Sequence, residues 1–318
     1  MSNGSASTGS ASTGSASAAR SLLLGPASLD IYLGRDIGRD LVLPGGGALN
    51  VAWHLASHRA PWHLLTRVGD DRPEAFIEFL QRHAIPYSAG SLVGHGASAS
   101  IDIVIQPDLQ PHMDNFVEGI WASYRSTAEE ETLMAGARRL HLVLVEGAIA
   151  ELERLVDAGL TRHLEVSADF LGFRHYTVDR LAATMRAVDI GFVGWPGAVD
   201  DPLLDGMRGV AHRLGRLLVV TLGSRGVRVF DGRAGGEDRW FPVTPVTVAG
   251  TTVGCGDAFV AAFLAAWART GGNLSEAVEA GKAAGAEATA WRRPLPDEAY
   301  GPAAVEALRR ADEAAAGA

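Results

Sequence analysis

Ala249-Gly-Thr-Thr-Val-Gly-Cys-Gly-Asp-Ala-Phe-Val-Ala-Ala-Phe-Leu264 runs from small residues straight into an apolar helical pattern. Gly254, Cys255 and Gly256 carry little bulk, so their backbone N–H groups can approach an anion where a helix N-terminus presents partial positive charge. Asp257 follows in the first turn and sets a carboxylate beside that cradle. Phosphoryl transfer asks for this combination: one group to accept the proton of an attacking hydroxyl, and fixed donors for the charge that spreads over the phosphate oxygens. The same residues also read as a tight turn with Asp257 as a helix cap. Local sequence leaves both readings open. No Walker A pattern and no Gly-x-Gly-x-x-Gly after a strand is present, which argues against a P-loop NTPase or a dinucleotide-binding domain.

A second glycine-rich turn, Pro44-Gly-Gly-Gly-Ala-Leu-Asn50, precedes the helical pattern Val51–Ala56. Gly45 and Gly46 let a ligand lie against the main chain, or let a segment hinge. Asn50 offers donors and an acceptor to sugar hydroxyls and equally reads as an N-cap. Asp30, near the end of Leu22-Leu-Leu-Gly-Pro-Ala-Ser-Leu-Asp30, could grip adjacent hydroxyls or sit solvated at a strand end.

Outward from these turns, short apolar runs alternate with helical patterns. The spacing predicts strands over Leu22–Tyr32, His63–Val68, Ser98–Ile105, Leu140–Val145, His163–Ser167, Ile190–Val193, Leu217–Leu222, Val227–Phe230 and Phe241–Val246. It predicts helices over Ala48–His58, Pro73–His83, Ile149–Ala158, Thr177–Ala187, Asp257–Ala268, Leu274–Trp291 and Ala303–Ala314. This alternation defines an α/β protein: a doubly wound, mostly parallel sheet with helices on both faces, which binds ligands beyond the carboxyl ends of its strands. The segments near 31–43 and 98–118 break the rhythm and read as a small β lid. Residues 1–20 form a low-complexity Gly/Ser/Ala/Thr repeat expected to be a disordered tail ahead of one domain over 21–318.

Composition narrows the function. The chain has 318 residues, 47% of them hydrophobic, and 28 Lys+Arg against 37 Asp+Glu give a net charge of -9, opposite to what a nucleic-acid backbone requires. No apolar run reaches membrane-spanning length. The lone Cys255 excludes an intrachain disulfide and favours a cytoplasmic address. It also reads as a space-filler rather than a reactive thiolate. His54 and His58 fall at i, i+4 spacing without a third ligand, so no metal site is expected from the protein alone. No Gly-x-Ser-x-Gly elbow anchors hydrolase chemistry.

The two turns, in this order, resemble the signatures of the PfkB/ribokinase family of carbohydrate kinases, over most of Leu22–Trp291. Gly45, Gly46, Asn50 and Ala52 match the first signature, and Thr66-Arg-Val-Gly-Asp-Asp71 follows it. Thr252, Gly254, Gly256 and Asp257 match the second, and Val219-Val-Thr-Leu-Gly-Ser-Arg-Gly226 looks like the family's nucleotide-contacting strand and turn. The resemblance implies a ribokinase-like fold and an ATP-dependent, Mg2+-assisted sugar kinase. Asp257 would be the general base and Gly254, Cys255 and Gly256 the anion hole. Thr221, Gly223, Gly226 and Lys282 would contact the nucleotide, and Asp30, Gly45, Gly46 and Asn50 the sugar. Met113-Asp-Asn-Phe-Val-Glu-Gly-Ile-Trp121 is similar to fructoselysine 6-kinases, which adds Asn115 and Glu118 as substrate contacts; Glu118 equally reads as an ordinary lid carboxylate. Thr251 stands where many members carry an Asp that helps build a monovalent-cation site. Gly194-Trp-Pro-Gly-Ala-Val-Asp-Asp201 replaces the usual Asn-x-x-Glu magnesium motif; Asp200 or Asp201 could substitute through water, or sit as solvated loop carboxylates. A nucleoside kinase of the same fold and a non-catalytic sugar or nucleotide sensor are the alternatives. The family also implies a homodimer through the lid.

Overall fold

Leu22, Leu23 and Leu24 are all fully buried, as a strand covered on both faces demands. Leu23 packs with helices of one side of the sheet, while Leu22 and Leu24 pack with those of the other. Leu217 and Val219 against Leu218 and Val220 repeat the alternation. The computed structural model describes residues 20–33, 41–173, 176–302 and 304–306. The expected tail over 1–20 and helix over Ala303–Ala314 lie almost wholly outside them, as does the stretch 34–40 of the first lid segment.

In chain order the elements are β1 (Arg20–Leu24), β2 (Ser28–Tyr32), β3 (Leu41–Gly45), α1 (Gly47–Ser57), β4 (His63–Leu65), α2 (Pro73–Arg82), β5 (Ala99–Ile105), β6 (Pro111–Val117), α3 (Ala128–Ala135), β7 (Ala137–Val143) and α4 (Glu146–Asp157). They continue with β8 (Glu165–Asp169), α5 (Val178–Met185), β9 (Ile190–Gly194), α6 (Pro202–Leu214), β10 (Leu217–Thr221), β11 (Val227–Asp231), β12 (Arg239–Phe241), α7 (Cys255–Thr270) and α8 (Leu274–Ala288). An eight-stranded sheet has the order β12-β11-β10-β9-β8-β7-β1-β4, parallel from β10 to β4 and antiparallel at β11 and β12. A separate four-stranded sheet has the order β3-β2-β5-β6. The ribokinase-like α/β architecture is therefore present, small second sheet included.

Three expectations need correction. The predicted strand Leu22–Tyr32 is two strands in two sheets, β1 and β2, because Gly25-Pro26-Ala27 breaks the run: Pro26 has no N–H for the ladder, and a Cβ at Gly25 would lie 2.9 Å from Val143. The strand predicted over Phe241–Val246 ends at Phe241, with Pro242 and Pro245 beyond it. Helices α3 and α6 were not anticipated. Each starts at a strong cap: Thr127 with Glu130 in a capping box, and Asp201, which accepts from Leu203 N at 2.9 Å ahead of Pro202.

Candidate active site

Strands β1, β7, β8, β9 and β10 end on one edge of the large sheet, and the second sheet, carried from β1 by the 25–27 break, rises from that edge. The residues of both glycine-rich turns meet here. Gly254 caps α7 with φ 78°, and a Cβ there would come within 2.5 Å of Pro294, so only glycine fits the turn. Asp257 follows in the first turn of α7, and Asn50, on α1, donates from Nδ2 to its Oδ2 at 2.8 Å.

The double glycine before α1 has a spatial cause. A Cβ on Gly45 would sit 2.1 Å from Asp30 Oδ2, and Gly46 adopts φ 91° with only 2.8 Å to spare from Ser28. The turn is thus shaped around Asp30, which is 4% exposed, accepts from Ser28 Oγ at 2.8 Å and is also bonded by the Gly46 amide. Burial pushes the Asp30 carboxyl up to about 7 against these two hydrogen bonds. Burial likewise raises Asp257 to about 7; the Asn50 bond opposes it, and the charges of Asp169 and Asp30 add to it. A carboxyl that gains or loses its proton near neutrality suits proton transfer. Asp169, at the end of β8, was not singled out from sequence. It is buried, which pushes it to about 6, and it accepts from Leu171 N at 2.8 Å. An Asp closing a strand on the ligand-binding edge was the available signal.

At the anion cradle, Cys255 N donates to Thr252 O at 3.3 Å, closing the turn, while the amides of Gly256 and Asp257 precede the first helical bond, Ala258 N to Gly254 O at 2.9 Å. Of the expected cradle amides, that of Cys255 is thus engaged inside the turn. Burial, with the Asp257 charge, pushes the Cys255 thiol up to about 12, so it is inert as a nucleophile.

The remaining expected residues divide. Thr221 ends β10 and bonds Val193 O at 3.4 Å; Gly223 and Gly226 follow in the turn to β11, both with positive φ. Lys282 lies on α8, the helix packed on α7, and its Nζ bonds Glu279 at 2.8 Å. Asn115 and Glu118 lie on β6 and just after it, each with partners inside the protein. Asn115 sits at a bulge in outer strand β6 and donates to Asp102 Oδ2 at 2.8 Å. Glu118 caps α4, accepting from Glu146 N at 2.7 Å and Gly147 N at 3.1 Å, so both its oxygens are held by backbone. Asp201 is occupied as the α6 cap.

A monovalent cation at position 251 does not fit these residues. Thr251 is fully buried and carries no charge; its hydroxyl donates to Leu109 O at 3.0 Å and accepts from Val253 N at 3.3 Å. Nearby carbonyls already accept within the protein, Trp291 O from Thr251 N at 2.8 Å and Thr289 O from both Ala249 N and Gly250 N. Arg293, 6% exposed and paired to Asp297 at 2.9 Å, already places a cation in that segment.

The fold is ribokinase-like. The description "pfkB family carbohydrate kinase" matches residues 203–291. Fructoselysine 6-kinase of Escherichia coli is 25% identical over 76% of this chain and 88% of its own length. Cytidine kinase of Thermococcus kodakarensis is 27% identical over 82% of this chain and 92% of its own length. The crystal structure of ribokinase from Thermotoga maritima superposes with a TM-score of 0.68 at 19% identity, covering 92% of this chain and 99% of that one. Over residues 203–291 the chain is thus similar to the PfkB family of carbohydrate kinases, and the curated relatives it resembles along most of its length are sugar and nucleoside kinases.

Proposed function

We propose that this protein transfers the γ-phosphoryl group of ATP to a hydroxyl of a small sugar or sugar conjugate. The observation that carries the reading is the Asn50–Asp257 pair: two residues 207 positions apart converge so that a carboxylate raised to about 7 stands at the mouth of helix α7. In its ionised form Asp257 takes the proton of the acceptor hydroxyl as that oxygen attacks the γ-phosphorus in line. The P–O bond to the β-phosphate breaks, ADP leaves, and the helix-end amides hold the transferring group. Asp30 receives acceptor hydroxyls. Asn50 Oδ1, buried without a hydrogen-bond partner, has its acceptor capacity unspent, as a substrate hydroxyl would require.

ATP enters as its Mg2+ complex, so the metal is part of the substrate. Among the described residues no three His, Cys, Asp or Glu side chains gather to hold a metal. Asp169, close enough to Asp257 for their charges to interact, offers a second carboxylate at that end of the sheet. Thr221, Gly223, Gly226 and Lys282 support a nucleotide site between the β10–β11 turn and α8. The exposed Met113, Phe116 and Val117 of β6 support pairing of two copies through the second sheet. Among the described residues no helix is long and apolar enough to cross a membrane.

Of acceptors, a ketoamine sugar is favoured by the likeness to fructoselysine 6-kinase, and a nucleoside by the likeness to cytidine kinase. ADP release measured over a panel of fructoselysine, ribose, cytidine and adenosine tests the reading. Acceptor-dependent release with one of them, lost in Asp257→Asn, is expected. Nucleotide binding without turnover on any acceptor would favour a sensor instead.

A further inference from the structure

The tip of the β5–β6 hairpin lies against the loop that leads into the anion cradle. Thr252 Oγ1 donates to Gln110 Oε1 at 2.7 Å, and Thr251 Oγ1 donates to Leu109 O at 3.0 Å, across 142 residues of sequence in each case. The tip is a built turn: Leu109 N bonds Gln106 O at 2.9 Å, and Gln106 N bonds Gln110 O at 2.9 Å. Leu109 itself adopts φ 64°, a conformation a branched side chain holds only when its surroundings impose it. Two further facts give the contact a consequence. Thr252 receives the hairpin through its hydroxyl and, through its carbonyl, the amide of Cys255 at 3.3 Å, so one residue joins Gln110 to the turn that sets the cradle amides. The hairpin is also continuous with Asp30, because β5 pairs in parallel with β2 and places Ile101 opposite Asp30.

We propose that Gln110 and the hairpin tip are positioning elements for the phosphoryl-transfer loop: docking on Thr251 and Thr252 fixes the Gly254–Asp257 turn. The sheet that holds the acceptor through Asp30 thereby sets the amides that hold the phosphate. This rests on the kinase reading only for its meaning, since the docking acts on the protein without ligands. Position 251, lacking the carboxylate of a cation site, serves here through its hydroxyl as the docking point.

Hydrogen exchange of the ligand-free protein, read by mass spectrometry, tests this. Gln110 is exposed, so Gln110→Ala removes the bond without opening a cavity. The amides of Gly254–Asp257 are expected to exchange about fivefold faster in Gln110→Ala, the scale of one lost hydrogen bond. Gln110→Glu keeps the acceptor oxygen and is expected to restore the wild-type rate, with β1 and α6 unchanged in both. Unchanged exchange at Gly254–Asp257 in Gln110→Ala, or a Gln110→Glu variant that behaves like alanine, would overturn the proposal. Failure of a non-hydrolysable ATP analogue with Mg2+ to slow the same amides in the wild type would count against the kinase reading and leave the docking result standing.

Discussion

Replacing Asp257 by Asn separates catalysis from stability, because the structure assigns opposite signs to the two effects. Asn is isosteric, and its Oδ1 can still accept from Asn50 Nδ2, so the turn keeps its shape. The proton acceptor is gone, and turnover should fall by roughly 10²–10⁴. Stability moves the other way. A carboxyl raised from 3.8 to about 7 binds its proton more tightly in the native state than in the unfolded chain. The native protein therefore loses stability as pH climbs from about 4 to about 7, and the loss is complete above that. The full shift bounds the loss at roughly 4 kcal/mol; solvent reaching the partly exposed carboxylate brings a realistic figure to about 2 kcal/mol. Asn does not titrate, so the variant should unfold about 4 °C above the wild type at pH 8, with the gap closing toward pH 4.5. Differential scanning calorimetry at the two pH values, alongside initial rates, reads both effects. A variant within tenfold of wild-type turnover, or one whose melting advantage is the same at both pH values, would refute the assignment of Asp257 as a strained base.

Gly45→Ala drives a methyl group into Asp30; a loss of about 2–3 kcal/mol in urea unfolding and a rise in KM for the acceptor are expected. Glu118→Gln weakens a helix cap rather than a substrate contact, so about 1 kcal/mol of stability should be lost while KM for the acceptor stays within twofold. Exchanging potassium for N-methylglucamine at constant ionic strength should leave turnover unchanged within twofold, because Thr251 brings no carboxylate and its hydroxyl is already bonded inside the protein; strong activation by potassium would contradict this. The rate constant for transfer should rise with pH through an apparent value near 7, as Asp257 ionises.

Local pattern was sufficient for much of this protein. Runs such as Leu22–Leu24 and Leu217–Leu222 announce strands covered on both faces, because a residue buried on either side of a parallel sheet must be apolar whatever its parity. Val-Gly-Cys-Gly-Asp257 announces a helix mouth with an acid in its first turn, because small residues, dipole and carboxylate are all adjacent in the chain. The irregular stretches near 31–43 and 98–118 announced a second sheet. Other features depend on partners far away in sequence. Gly45 is required by Asp30, Asp169 gains its raised proton affinity from burial near Asp257, and Glu118 finds its partners in the first amides of α4. The Leu22–Tyr32 segment reads as one strand until the tertiary structure sends its halves into different sheets. Periodicity reports which face of an element is dry; it carries nothing about which distant group dries it. Proton affinities, caps and the Thr252–Gln110 contact are set by those distant groups, and only the folded chain decides them.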